Sequence, residues 1–66
     1  MRIFVDGQSQ EVPDGATMAQ VLSLLKEAVD QATVELNYVY VNSNDYEKTK
    51  LKEGDRLEVI YPAFGG

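Results

Sequence analysis

The sequence predicts a single α+β domain in which one mixed sheet of four or five strands is packed on one main helix. Three observations carry this. A strong hairpin signal opens the chain, one apolar helix stripe lies in its first half, and 66 residues amount to one small domain, since domains commonly run to about 100–200 residues.

Met1 to Val5 is rich in β formers and is followed by Asp6-Gly7, a pair suited to the type I′ turn because that turn needs positive φ, where glycine meets no steric penalty. Gln8 to Val12 should return antiparallel. Alternation sets Met1, Ile3 and Val5 on one face and Arg2, Phe4 and Asp6 on the other, which leaves Phe4 as an apolar residue on the polar side. Pro13-Asp14-Gly15 is a turn, and Thr17-Met18-Ala19-Gln20 matches the capping box, in which the Thr hydroxyl and Gln side chain satisfy free amides at a helix start. A helix from Met18 to Val29 follows. Met18, Val21, Leu22, Leu25, Ala28 and Val29 recur at three- and four-residue spacing as one stripe, with Leu24 at its edge and Ala19, Ser23, Lys26 and Glu27 outside.

Val34 to Val41 is strand-rich, with Val34 and Leu36 on the core face and a bend near Asn37-Tyr38; the register from 37 to 50 stays open. Tyr46 should pack beneath the irregular stretch 42 to 50. Leu51, a turn at Lys52-Glu53-Gly54-Asp55, and Leu57, Val59 and Tyr61 alternating with Arg56, Glu58 and Ile60 describe a last strand. Pro62 ends it, having no amide for the ladder. One sheet over one helix buries the stripe most economically. A mixed sheet whose first and last strands pair in parallel at its centre, the β-grasp, would cover it with Ile3, Val5, Val34, Leu36, Leu57 and Val59.

The composition removes most chemistry. Without Cys or His there is no disulfide, thiolate or imidazole metal site, and no catalytic triad, so the chain is expected to be no enzyme, with no catalytic residue, metal or bound cofactor. Six Lys+Arg against 11 Asp+Glu give a net charge of −5, which argues against nucleic acid or an anionic membrane and for a basic protein surface. The short apolar run Ile3 to Val5 is neither signal peptide nor membrane span, so a cytoplasmic protein is expected. Lys48, Lys50, Lys52 and Arg56 read as a solvated basic loop beside Glu47, Glu53 and Asp55, or as an electrostatic contact.

Residues 1–62 thus form the domain and 63–66, Ala63-Phe64-Gly65-Gly66, a flexible tail. A carboxylate on two residues without Cβ is slender and conformationally free, so another enzyme can draw it into a narrow site. Five residues from Pro62 span at most about 17 Å, enough to enter a cleft while the body stays outside.

The helix, connection and Val-Glu-Leu-Asn strand over 17–37, then Leu51-Lys52-Glu53-Gly54-Asp55-Arg56-Leu57-Glu58-Val59, then Gly65-Gly66, resemble the ubiquitin-like sulfur carriers of the ThiS/MoaD family. In length and spacing the chain is most similar to ThiS; Tyr61-Pro62 is more like the MoaD end. Two residues depart from the ThiS pattern: Tyr38 stands where glycine commonly follows the strand Asn, so that Asn37 would take the positive φ, and Phe64 precedes the Gly pair.

The resemblance implies a carrier cycle. A ThiF/MoeB-type adenylating enzyme uses Mg-ATP to adenylate Gly66, a sulfur donor displaces AMP, and the thiocarboxylate gives sulfur to an acceptor synthase of the thiazole synthase or molybdopterin synthase type. Thiamine thiazole is the first expectation; molybdopterin or another sulfur-transfer pathway, a ubiquitin-like modifier, and an inert β-grasp binding module are the alternatives. Gly65, Phe64, Ala63 and Pro62 would be read as the tail. Phe4 and Ile60, expected as cross-strand neighbours on the face away from the helix, would dock the partner together with Tyr38 and Tyr40, or else be scattered surface residues.

Overall fold

The computed structural model describes residues 1–25 and 31–62. In chain order the elements are β1 (Arg2–Val5), β2 (Gln8–Glu11), α1 (Met18–Leu24), β3 (Thr33–Leu36), β4 (Val39–Val41), a 3₁₀ turn (Ser43–Asp45) and β5 (Arg56–Ile60). They form one five-stranded sheet of order β2-β1-β5-β3-β4. β1 and β5 run parallel at its centre, with Phe4 opposite Arg56 and Val5 opposite Leu57, while the β1–β2, β3–β4 and β3–β5 pairs are antiparallel. The expected β-grasp topology is therefore present.

The first hairpin forms where Asp6 and Gly7 take φ of 51° and 83°, a type I′ pair whose twist matches that of the strands. Helix α1 begins at the expected box: Gln20 N donates to Thr17 Oγ1 at 3.2 Å and Thr17 N to Gln20 Oε1 at 2.9 Å. Its other free amides go to the loop crossing above it, Met18 N to the Thr49 carbonyl at 2.8 Å and Ala19 N to that of Tyr46 at 3.0 Å. A helix start leaves four amides without intrahelical partners, so this loop is anchored by the helix it covers. The helix ends at Leu24 with Leu25 as its cap, and the expected continuation to Val29, with Ala28 and Val29 of the stripe, falls outside the described residues.

The stripe's first turns are buried as its spacing predicts. Met18, Val21 and Leu22 meet Ile3, Val5, Val34, Leu57 and Val59 in one cluster that also takes in Val12, Ala16 and Leu51, with Met1, Leu36 and Tyr46 packed on its margin. Leu24 is exposed. Burial raises the pKa of the Tyr46 phenol, consistent with its place under the 42–50 loop.

The middle of the chain corrects the expected bend. Val34 to Val41 is not one bent strand but a hairpin, with Leu36 opposite Val39 across a two-residue turn. Both turn residues lie at positive φ, Asn37 at 51° and Tyr38 at 70°, so Asn37 does not relieve Tyr38. The type I′ geometry requires it of both.

An N-terminal ion pair closes the domain's edge. The Met1 amine donates to the Val12 carbonyl at 2.7 Å and lies 2.8 Å from Asp14 Oδ1. The hydrogen bond to Asp14 raises the amine above its ordinary 8.0, and the amine lowers the Asp14 carboxyl below its ordinary 3.8. The raised amine stabilises the fold fully below about pH 8, and that support fades as pH climbs through its folded pKa. The lowered carboxyl stabilises above about pH 4 and is lost as pH falls through its folded pKa. Asp14→Asn is expected to weaken both pH dependences in thermal melts across pH 2–10, and an unchanged profile would refute the pairing.

Candidate functional site

The chain leaves the sheet from its central strand. β5 runs to Ile60, and Tyr61 and Pro62 follow as exposed residues. Pro62 thus lies two residues beyond the end of the sheet's central strand. Gly66, Gly65, Phe64 and Ala63, expected as the attachment and recognition residues, lie outside the described residues.

The sheet face turned away from α1 carries the residues expected to dock a partner, but not in the expected arrangement. Phe4 stands opposite Arg56, whereas Ile60 stands opposite Thr33. Phe4 and Ile60 are therefore not cross-strand neighbours: four residues of β5 separate their rows, about 13 Å at roughly 3.3 Å per residue. Parallel pairing of β1 with β5 sets that offset, and strand alternation alone cannot reveal it. Phe4 is half-buried under its neighbour, the Arg56 guanidinium lying 5.0 Å from the ring centroid, a cation–π contact.

Between these rows stand carboxylates. Glu35 faces Glu58 across β3–β5 and Tyr40 across β3–β4, so Tyr40, Glu35 and Glu58 form one row. The most exposed apolar group lies at the β3–β4 tip, where Tyr38, Val39 and Tyr40 are 71%, 66% and 59% exposed. Val39 was not singled out in the sequence, because its place depends on the hairpin register.

The tip stands on a polar clamp that also escaped sequence reading. Asn37 N donates to the Arg56 carbonyl at 2.8 Å, Asn37 Oδ1 accepts from Arg56 N at 2.9 Å, and Asn37 Nδ2 donates to Asp55 Oδ1 at 3.1 Å. Asp55 is 4% exposed; its other oxygen accepts from Lys52 N at 2.9 Å. In the sequence Asp55 is merely the last residue of a Gly-containing turn; only the Asn at the third-strand end hints at a partner. Asp55→Ala strands the Lys52 and Asn37 donors and is expected to cost about 1.5–3 kcal/mol in urea unfolding, the range for hydrogen bonds to charged groups. A change below the error of the unfolding curves would show the clamp to be dispensable.

Held by that clamp, Tyr38 keeps a conformation that L-residues adopt at a cost of about 1–2 kcal/mol. Tyr38→Gly should raise the melting temperature by about 4–8 °C, the shift for 1 kcal/mol in a domain of this size. A lower melting temperature would show that Tyr38 makes compensating contacts.

Among the described residues no three or more acidic side chains converge as a metal site, and no helix is long and apolar enough to cross a membrane. A groove over the first turns of α1, lined by Pro13, Gly15, Thr17, Gln20 and Leu24, lies on the helical side and shares no residue with the sheet face.

A five-stranded β-grasp sheet packed on α1 defines a small ubiquitin-like domain, and Gly65-Gly66 come after it in the sequence. The chain belongs to the ThiS family, whose model matches residues 1–66; members of that family are small carrier proteins. No curated protein matches it. Among solved structures, the crystal structure of the thiamine biosynthesis protein ThiS from Geobacter metallireducens superposes with a TM-score of 0.88 at 32% identity, covering 100% of both chains. A solution structure of a thiamine biosynthesis protein from the same organism gives 0.77 at 30% identity, covering 100% of this chain and 88% of that one.

Proposed function

We propose that this chain is a sulfur carrier for thiamine thiazole formation, and that its reacting atom is the carboxyl carbon of Gly66. The observation that carries this reading is the family match along the whole chain, Gly65-Gly66 included. A ThiF/MoeB-type enzyme joins the Gly66 carboxylate to the AMP moiety of Mg-ATP and releases pyrophosphate. A donor delivering sulfur at the sulfide level then displaces AMP, and the thiocarboxylate passes its sulfur to a thiazole synthase. The body contributes no acid, base or metal; it presents the tail and is recognised. Pro62, Ala63, Phe64 and Gly65 are threaded into the activating site, while Phe4, Tyr38, Tyr40 and Ile60 mark the face that seats the enzyme, as separated contact points rather than one patch.

Intact-mass spectrometry tests the reading. Incubation with the adenylating enzyme from the same genome, Mg-ATP and sulfide should exchange one oxygen of the protein for sulfur. High-mass lysine adducts in the presence of other proteins would instead make it a modifier, and an unchanged mass would overturn both.

A further inference from the structure

The geometry points to an arginine seat on the open sheet face: the row Tyr40–Glu35–Glu58, which a guanidinium on the surface of the adenylating enzyme occupies. The inference rests on the reading that this face seats that enzyme, and it names the chemistry of the contact.

Opposed side chains in an antiparallel pair stand about 4.5–5.5 Å apart at Cβ, and like charges placed so are destabilising. Glu35 and Glu58 are such a pair, each only half-exposed. The chain's own described cations do not neutralise them. Arg56, two residues from Glu58 on the same face, lies over Phe4; Arg2 pairs with Glu11 and Lys52 with Asp55, and Lys48 and Lys50 belong to the loop that crosses the start of α1 on the opposite side of the sheet. Among the described residues neither glutamate has an ion pair. Folding gains nothing from this repulsion, whereas a cation arriving between the two carboxylates removes it.

The third member of the row selects the cation. Tyr40, directly opposite Glu35 and 59% exposed, adds an aromatic residue to the row next to Glu35. A planar guanidinium can fork its N–H donors to carboxylate oxygens and stack on an aromatic face, which a compact ammonium does less well. The same face already holds one such contact, Arg56 on Phe4. A net charge of −5 adds long-range attraction to a basic surface.

The test is ATP–pyrophosphate exchange by the purified adenylating enzyme, with the carrier titrated at several NaCl concentrations. The Glu35→Gln/Glu58→Gln double variant should raise the carrier KM about tenfold at low salt, flatten its salt dependence and leave the loss in KM rather than kcat. Its melting temperature should equal or exceed that of the parent, because a repulsion has been removed. Unchanged KM and salt dependence would overturn the seat, as would a fall in melting temperature that accounts for the KM change. Carbodiimide coupling of Glu35 or Glu58 to an enzyme lysine would overturn the guanidinium assignment, since this reagent joins carboxylates to amines. If Phe4→Ala and Tyr38→Ala raise KM while the Gln pair does not, the arginine seat alone falls; if none of these changes KM, the docking reading falls with it.

Discussion

An alanine appended after Gly66 is expected to abolish thiocarboxylate formation while leaving the thermal melt of the domain unchanged. The added residue displaces the reacting carboxylate by about 3.3–3.6 Å along an extended chain and places a Cβ on the residue that bears it. A reacting group misplaced by about 1 Å can already cost 10²-fold in rate, so adenylation should fall by at least about that factor. The melt should not move, because among the described residues the buried core runs from Ile3 to Val59. Intact mass after incubation with enzyme, Mg-ATP and sulfide reads the first effect and calorimetry the second. Sulfur loading of the extended protein at the parent rate would show that the Gly66 carboxylate is not the reacting group.

Leu57→Ala is expected to remove a large part of the domain's stability. Leu57 is fully buried on the central strand, opposite Val5 on one side and Leu36 on the other, so its loss opens a cavity between the two halves of the sheet and the helix. Leu→Ala at such sites costs about 2–5 kcal/mol. At about 0.05–0.15 kcal/mol per residue, 66 residues give a total of about 3–10 kcal/mol, so the substitution removes much of it. Urea unfolding followed by circular dichroism checks this. Loss of less than about 1 kcal/mol would mean that the core collapses around the gap, contrary to the close packing expected of interiors. Leu57→Met, close in volume, should cost less than about 1.5 kcal/mol.

The body and the tail were legible to different degrees. The Asp6-Gly7 turn, the Thr17/Gln20 box and the stripe Met18, Val21, Leu22 were readable because each depends on residues within one turn or two strands of itself. Membership of the ThiS family was readable from the order of segments and the Gly-Gly end. Asp55 was not: a turn aspartate carries the same local signal whether it faces water or accepts the Asn37 amide 18 residues away. Tyr38 was read as an unusual residue in the place of a glycine, yet the hairpin that imposes its φ emerged only once Leu36 faced Val39.

The amino-acid sequence alone determined which faces are apolar and where turns and the helix begin, because those properties reside in side chains and their spacing. Tertiary structure alone decided who stands beside whom. The parallel offset of β1 on β5 put Arg56 rather than Ile60 next to Phe4, and the β3–β4 hairpin lined Tyr40 up with Glu35 and Glu58. Register between strands distant in sequence is set by how the whole apolar surface closes over the helix, and no local pattern encodes it.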